Sequence, residues 1–200
     1  MNLDNLRRAI TQRPRREDSR NRTAAVLIPI LVDDDGTASI ILTRRADTLS
    51  THRGEVAFPG GGVEPEDADL VATALREAQE EVNIHPNGVD VLGMLDDMPT
   101  ITNRMMVTPV VGVLSEPPQL VADPIEVARI FTIPINALIN PEGWVIKHHE
   151  HSGRDWPVYY FDWDGETLWG LSAYITLQLL SLLPTGGPFE LPPPYDRRLG

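Results

Sequence analysis

The chain has 200 residues, 42% of them hydrophobic, which is enough for one domain with a sizeable core. Its 17 Lys and Arg stand against 29 Asp and Glu, a formal net charge of −12, which makes a nucleic-acid backbone a poor bulk partner and favours a cationic ligand or a metal that collects carboxylates. It contains no Cys, so disulfides, thiolate nucleophiles and thiolate metal sites are excluded, and a metal must be held by oxygen or imidazole, as hard cations such as Mg²⁺ are.

No apolar run approaches the roughly 18 residues that span a bilayer, and the N-terminus lacks the apolar stretch of a secretory signal, so no membrane partner and a cytoplasmic location are expected. Residues 1–23 are polar, with an arginine cluster (Arg13, Arg15, Arg16, Arg20, Arg22) and amphipathic spacing at Leu3, Leu6 and Ile10. They read as a solvated arm or a short helix. Residues 24–32 form a β-rich run closed by the turn signal Asp33-Asp34-Asp35-Gly36, and residues 38–43 return as its hairpin partner. Residues 54–62 read as a short strand entering a glycine loop, Gly60-Gly61-Gly62.

A helix is predicted over residues 69–82, because Val71, Ala74, Leu75, Ala78 and Val82 line one stripe. Asp67 or Asp69 supplies its N-cap and Asn83 its left-handed stop. Strands follow at residues 89–95, 105–114, 128–133, 144–147 and 158–163, then a terminal helix at 171–183. The domain is expected to occupy 24–183, with a Pro/Gly-rich surface tail at 184–200. This order of elements is that of an α/β or α+β sandwich.

The chemistry concentrates in Arg76-Glu77-Ala78-Gln79-Glu80-Glu81. On a helix, Glu77, Glu80 and Glu81 project from nearly one face, and each like-charge pair costs a few tenths of a kcal/mol. They also sit in the C-terminal half, where the macrodipole disfavours anions. A bound cation would relieve this frustration, and carboxylates with water and substrate phosphate suit Mg²⁺. A solvated acidic face is the plainer reading of such a cluster. It is, however, accompanied by the glycine loop, whose backbone can approach a phosphate or donate a carbonyl to the same metal. Arg44, Arg45, His52 and Arg53 add local positive charge ahead of that loop. Together these features point to hydrolysis of a phosphate ester or diphosphate by metal-activated water.

Residues 76–84 resemble the second half of the Nudix hydrolase signature, Arg-Glu, a hydrophobic residue, any residue, Glu-Glu, any residue, Gly and a hydrophobic residue. Asn83 stands in for the Gly and tolerates the same left-handed backbone. Gly62 lies fourteen residues before Arg76, as the signature's first Gly does, whereas Ala68 occupies the position of its first Glu, with Glu66, Asp67 and Asp69 close by. The upstream text Leu42-Thr43-Arg44-Arg45, then Leu49-Ser50-Thr51-His52-Arg53-Gly54-Glu55-Val56-Ala57-Phe58-Pro59-Gly60-Gly61, resembles the coenzyme A diphosphatase subgroup. So do Thr73 to Glu77, Val107 to Val111 and Trp169 to Ala173.

The resemblance implies an α/β/α sandwich with a mixed sheet and a Mg²⁺- or Mn²⁺-dependent diphosphatase. It makes Glu77 and Glu81 the main metal ligands, with Glu80 completing the cluster or orienting the attacking water and a main-chain carbonyl near Gly60 or Gly61 joining them. The general base is one of these Glu residues or Glu126 from a later loop. Arg76 orients the cluster, with Gly61 as structural support, while Arg44, Arg45, His52 and Arg53 meet a polyanionic substrate, since guanidinium planes match phosphate oxygens. Coenzyme A or its thioesters are the first substrate expectation, and ADP-ribose or a nucleotide sugar the second. A catalytically silent module that binds a nucleotide and regulates a partner is an alternative of another class. His148-His149-Glu150-His151 reads as a loop rather than a metal site, and a homodimer is compatible with the sequence.

Overall fold

The structure is a computed structural model that describes residues 2–18, 22–100, 105–151 and 154–191. Its strands are β1 (Arg22–Val32), β2 (Ala38–Arg45), β3 (Val56–Ala57), β4 (Gly60–Gly62), β5 (Val89–Met94), β6 (Met98–Pro99), β7 (Met106–Leu114), β8 (Val127–Pro134), β9 (Trp144–His151), β10 (Arg154–Trp163) and β11 (Glu166–Trp169). Its helices are α1 (Leu3–Gln12), α2 (Leu70–Val82), α3 (Ile135–Ile139) and α4 (Gly170–Ser181). Eight strands form a mixed sheet along the path β3-β2-β1-β7-β5, with β4 on β1, β6 on β7 and β8 on β2, and β9–β11 form a second, antiparallel sheet.

β1 is the spine. One edge pairs with β2 through Ile30↔Ile40 and with β4 through Ala25↔Gly61, while β7 runs parallel along the other. Both faces of β1 are covered, which is why its sequence is almost continuously apolar. Ala25 and Leu27 pack with Ala74, Ala78 and Val82 of α2, and Ile28 and Ile30 pack with α1 and α4 on the opposite side. This is the expected α/β/α sandwich with a mixed sheet. Among the described residues no helix is long and apolar enough to cross a membrane.

The ends of α2 follow the sequence signals. Asp69 accepts a hydrogen bond from the Ala72 N–H at 2.8 Å. Asn83 adopts φ 60°, and the N–H groups of Asn83 and Ile84 close on Gln79 O and Ala78 O, a Schellman-type stop.

Four expectations change. Of the two N-terminal readings, the short helix stands and the solvated arm does not: α1 buries Leu6 and Ile10, and the Arg13 and Arg15 guanidiniums lie 2.5 Å from Asp96 and Asp97. The apolar stripe already marked by Leu3, Leu6 and Ile10 holds it, together with buried counter-charges from a distant segment that local composition does not reveal. The glycines at 60–62 form a strand rather than a loop, because their backbone pairs with β1. His148 and His149 lie in β9 rather than a loop, and strand alternation turns them to opposite faces, towards Asp155 and Tyr160 respectively. In the tail, Phe189 packs against the Trp144 and Tyr159 rings, while residues 192–200 lie outside the described residues. Arg20 and the side chains of Arg22 and His151 also lie outside them.

Loss of the α2 cap is expected to be felt by the whole domain, since this helix closes one face of the sheet. Asp69→Ala should lower the unfolding free energy by about 1 kcal/mol in urea denaturation, with an unchanged m-value.

Candidate active site

The site forms where α2 crosses β4. The three glycines of β4 each meet one charged side chain of the helix. The Gly60 N–H donates to Glu81 Oε2 at 3.2 Å, Gly61 faces the Glu77 carboxylate, and the Gly62 carbonyl accepts from Arg76 Nη2 at 2.9 Å. A Cβ on Gly61 would fall 2.4 Å from Glu77 Oε1, and one on Gly60, where φ is +158°, would fall 2.5 Å from Ala25 O. Glycine is therefore required at both positions so that helix and strand can approach closely enough to bring the carboxylates onto the backbone edge.

Glu81 is only 4% exposed. Burial pushes its carboxyl up to about 8. The Gly60 N–H and the Arg45 guanidinium, whose Nη1 lies 3.9 Å from Glu81 Oε1, oppose that shift, and the charges of Glu126 and Glu77 reinforce it. Burial raises Glu77 as well, against the pull of Arg76 at 3.0 Å and with a push from Glu80 and Glu126. Both carboxylates respond to Glu126, which places that residue's charge at the site. The Glu126 loop is tied there by the Asp123 N–H donating to Glu81 O at 2.9 Å and the Ala46 N–H donating to Glu126 O at 2.8 Å.

Arg76 brackets the cluster. Its Nε and Nη2 grip both oxygens of Asp67 at 3.0 and 3.1 Å, and its Nη1 contacts Glu77 and Glu80 at 3.0 Å. Asp67 also accepts from the Glu64 N–H and the Thr73 hydroxyl, and Arg76 together with these donors holds its carboxyl well below the usual range. Sequence reasoning offered Asp67 only as an N-cap candidate, a role that Asp69 fills, and as a neighbour of Ala68. A carboxylate nine residues before Arg76 and six before Thr73, on a turn entering the helix, is the signal that identifies it as the bracket's anchor. Glu80 differs from its two partners: its side chain is 60% exposed and turned to Arg76, so it stands on the outer side of the bracket.

The cationic cluster divides. Arg45 faces α2, and its Nε is buried without a hydrogen-bond partner. Arg44, the preceding residue of the strand, points to the opposite face, where it pairs with Asp47 at 2.7 Å and Glu166 at 3.6 Å. Arg53 is exposed and has no ion-pair partner among the described residues. His52 is exposed in the left-handed region (φ 53°), with Nδ1 2.9 Å from Glu55 Oε2. The structure thus brings Glu77, Glu81, Glu126, Gly60, Gly61, Arg45 and Arg76 together, and leaves Arg44 across the sheet.

The donor set fits a hard divalent cation. Glu81 is a buried carboxylate that makes no bidentate contact with a cation, and Glu77 lies beside it. Among the described residues no three Asp, Glu, His or Cys side chains enclose a single point. The arrangement is therefore an open group of oxygens rather than a closed cage. Mg²⁺ suits such a site, because it keeps waters and shares its ligation with substrate phosphates.

The NUDIX domain profile matches residues 21–156. A Photorhabdus laumondii protein described as the uncharacterized Nudix hydrolase NudL is 41% identical over 83% of this chain and 87% of its own length. Nudix hydrolase 15, mitochondrial, of Arabidopsis thaliana is 35% identical over 87% of this chain, which spans 61% of that protein. A Nudix hydrolase structure from M. smegmatis, RenU, superposes with a TM-score of 0.49 at 21% identity, over 59% of this chain and 73% of that one.

Two outcomes follow from the geometry. Gly61→Ala should leave the fold intact, by circular dichroism, yet abolish most divalent-metal binding, because the new methyl displaces the Glu77 carboxylate. In the metal-free protein, Glu81 has a higher pKa folded than unfolded. The stability it contributes is therefore complete below about 4.5 and lost as the pH rises towards about 8. Glu81→Gln, which cannot ionise, should be more stable than the parent by a few kcal/mol at about pH 8, with the gap closing towards pH 4.5 in denaturant titrations.

Proposed function

The chain belongs to the Nudix family of hydrolases, and from that premise we propose that it is a Mg²⁺- or Mn²⁺-dependent diphosphatase acting on coenzyme A and its thioesters. The observation that carries the chemistry is the seating of Glu77 and Glu81 on the Gly60–Gly61 edge with the charge of Glu126 beside them. The coenzyme A reading rests on the segment from Leu42 to Gly61, which also builds the loop carrying Arg53 and His52.

Glu77 and Glu81, with the Gly60 main chain, would hold the metal. The ion, when bound, would activate water and offset the charge of the diphosphate. Arg76 and Asp67 fix the Glu77 carboxylate, so that it reaches the edge already oriented. Arg45, with a buried and unsatisfied Nε, would meet a phosphate oxygen on the α2 face, and the exposed Arg53 would meet a more distal anionic group. Glu126 would take the proton of the attacking water, since its loop is pinned to both the helix end and β2. Water adds across one P–O bond of the diphosphate, and the bridging oxygen leaves with the other phosphate. From coenzyme A the products are 3′,5′-ADP and 4′-phosphopantetheine. Arg44 would serve the loop from the far face rather than touch the phosphates.

Product analysis with coenzyme A, ADP-ribose and a nucleotide sugar, each with Mg²⁺ or Mn²⁺, tests this reading. Preferential release of 3′,5′-ADP is expected, abolished in Glu77→Gln and Glu81→Gln and reduced by about 10²-fold or more in kcat in Glu126→Gln. Turnover of ADP-ribose or the nucleotide sugar without coenzyme A would keep the chemistry and overturn the substrate. Binding of these compounds without product release, indifferent to Glu77→Gln, would overturn both.

A further inference from the structure

The N-terminal arm carries a buried ionic chain with no part in the proposed chemistry. Arg15 Nε donates to Leu95 O at 2.7 Å, and its Nη2 donates to Asp97 Oδ1 at 2.5 Å. Asp97 is 5% exposed and also accepts from the Thr108 hydroxyl at 2.7 Å and the Asp18 N–H at 2.8 Å, while its own N–H donates to Arg16 O at 3.0 Å. A carboxylate sunk this deeply must be held by such partners, so the chain fixes the arm and the start of β7 to one another.

Register then connects this chain to the site. Thr108 pairs with Ala25, and Ala25 pairs with Gly61, so the three residues stand in one row across β7, β1 and β4. Residues aligned in neighbouring strands present their side chains to the same face. For this row it is the α2 face: Ala25 packs with Ala74 and Ala78, and Val110, two residues beyond Thr108, joins the same cluster. Gly61 is the residue on which the Glu77 carboxylate rests, with no room for even a methyl group between them. The Arg15–Asp97–Thr108 chain therefore ends two strand spacings, about 10 Å, from that seat. Only Ala25, with its small side chain, lies between them.

We propose that Arg15 and Thr108 are positioning residues for the Gly61 edge, acting through Asp97 to set the lateral placement of β7 and β1 and hence of the Glu77 carboxylate. The proposal rests on the reading of Glu77 and Glu81 as metal ligands. It gives the arginine-rich arm a task at the site while remaining outside it. Outer groups that orient ligands are known to alter metal affinity by 10- to 100-fold, and a chain two strand spacings removed should act more weakly.

The test is calorimetric titration of the full-length protein with Mn²⁺, with folding checked by circular dichroism and kcat and KM measured in parallel. Thr108→Val removes the hydroxyl at constant shape, and Arg15→Lys keeps the charge but loses the planar fork. Each should weaken Mn²⁺ binding by about fivefold and lower kcat, with KM for the diphosphate within about twofold, and Thr108→Ser should restore both. If one variant fails to fold, the other decides. Unchanged Mn²⁺ affinity in the folded variants, with binding lost in Glu77→Gln, would overturn this inference alone. Absence of Mn²⁺ binding by the parent protein would overturn the ligand reading and this inference with it.

Discussion

Everything at this site depends on bringing a buried carboxylate helix into contact with a bare backbone edge. Glu81 is almost fully removed from water, so its charge is costly, and the neighbouring charges of Glu77 and Glu126 add to that cost. Only a glycine strand allows α2 to descend far enough for the Gly60 N–H to reach Glu81 and for Glu77 to occupy the space of an absent side chain. The rest of the local structure maintains that approach. Ala25, Ala74 and Ala78 keep the helix close to the sheet, Asn83 ends it one residue after Val82, and Arg76 with Asp67 balances the outer side. Unfavourable charge of this kind is relieved when a divalent cation binds.

The sheet sorts the surrounding charges by alternation. Arg45 faces the helix and Arg44 faces the second sheet, although they are adjacent in sequence. Arg44 stands directly opposite Arg129 in the β2–β8 ladder, an arrangement of like charges that would be unfavourable if left alone. Glu166, from β11, lies between them, 3.6 Å from Arg44 Nε and 3.2 Å from Arg129 Nη1, and ties the second sheet to the strands that carry Arg45 and lead from Glu126. The two sheets are thus joined next to the site by ion pairs as well as by the apolar core.

The parts legible in the sequence were those governed by local rules. The apolar stripe of α2, its Asp69 and Asn83 ends and the paired β1–β2 hairpin all follow from spacing and turn chemistry, and the Arg76–Glu81 text marked the chemical segment. Strand alternation also separates Arg44 from Arg45, since adjacent residues of a strand face opposite sides. Other features depend on long-range contacts. Docking of the arginine arm requires Asp96 and Asp97, about eighty residues away along the chain. Pairing of the three glycines with β1 turns a nominal loop into a strand. Extension of β9 through the histidines depends on the partner strand β10. Asp67, one residue before the position of the signature's first Glu, supplies the carboxylate that anchors Arg76, a contact that the motif alone does not specify.

In the proposed site the buried inner pair, Glu77 and Glu81, holds the cation, whereas Glu80 stands outside. The most direct measurement is Mn²⁺ binding, by calorimetry or electron paramagnetic resonance, to the single variants Glu77→Gln, Glu80→Gln and Glu81→Gln. The structure predicts that binding is lost at Glu81 and Glu77 and largely kept at Glu80, whose side chain is exposed and turned to Arg76. Loss of binding in Glu80→Gln with retention in Glu81→Gln would contradict it.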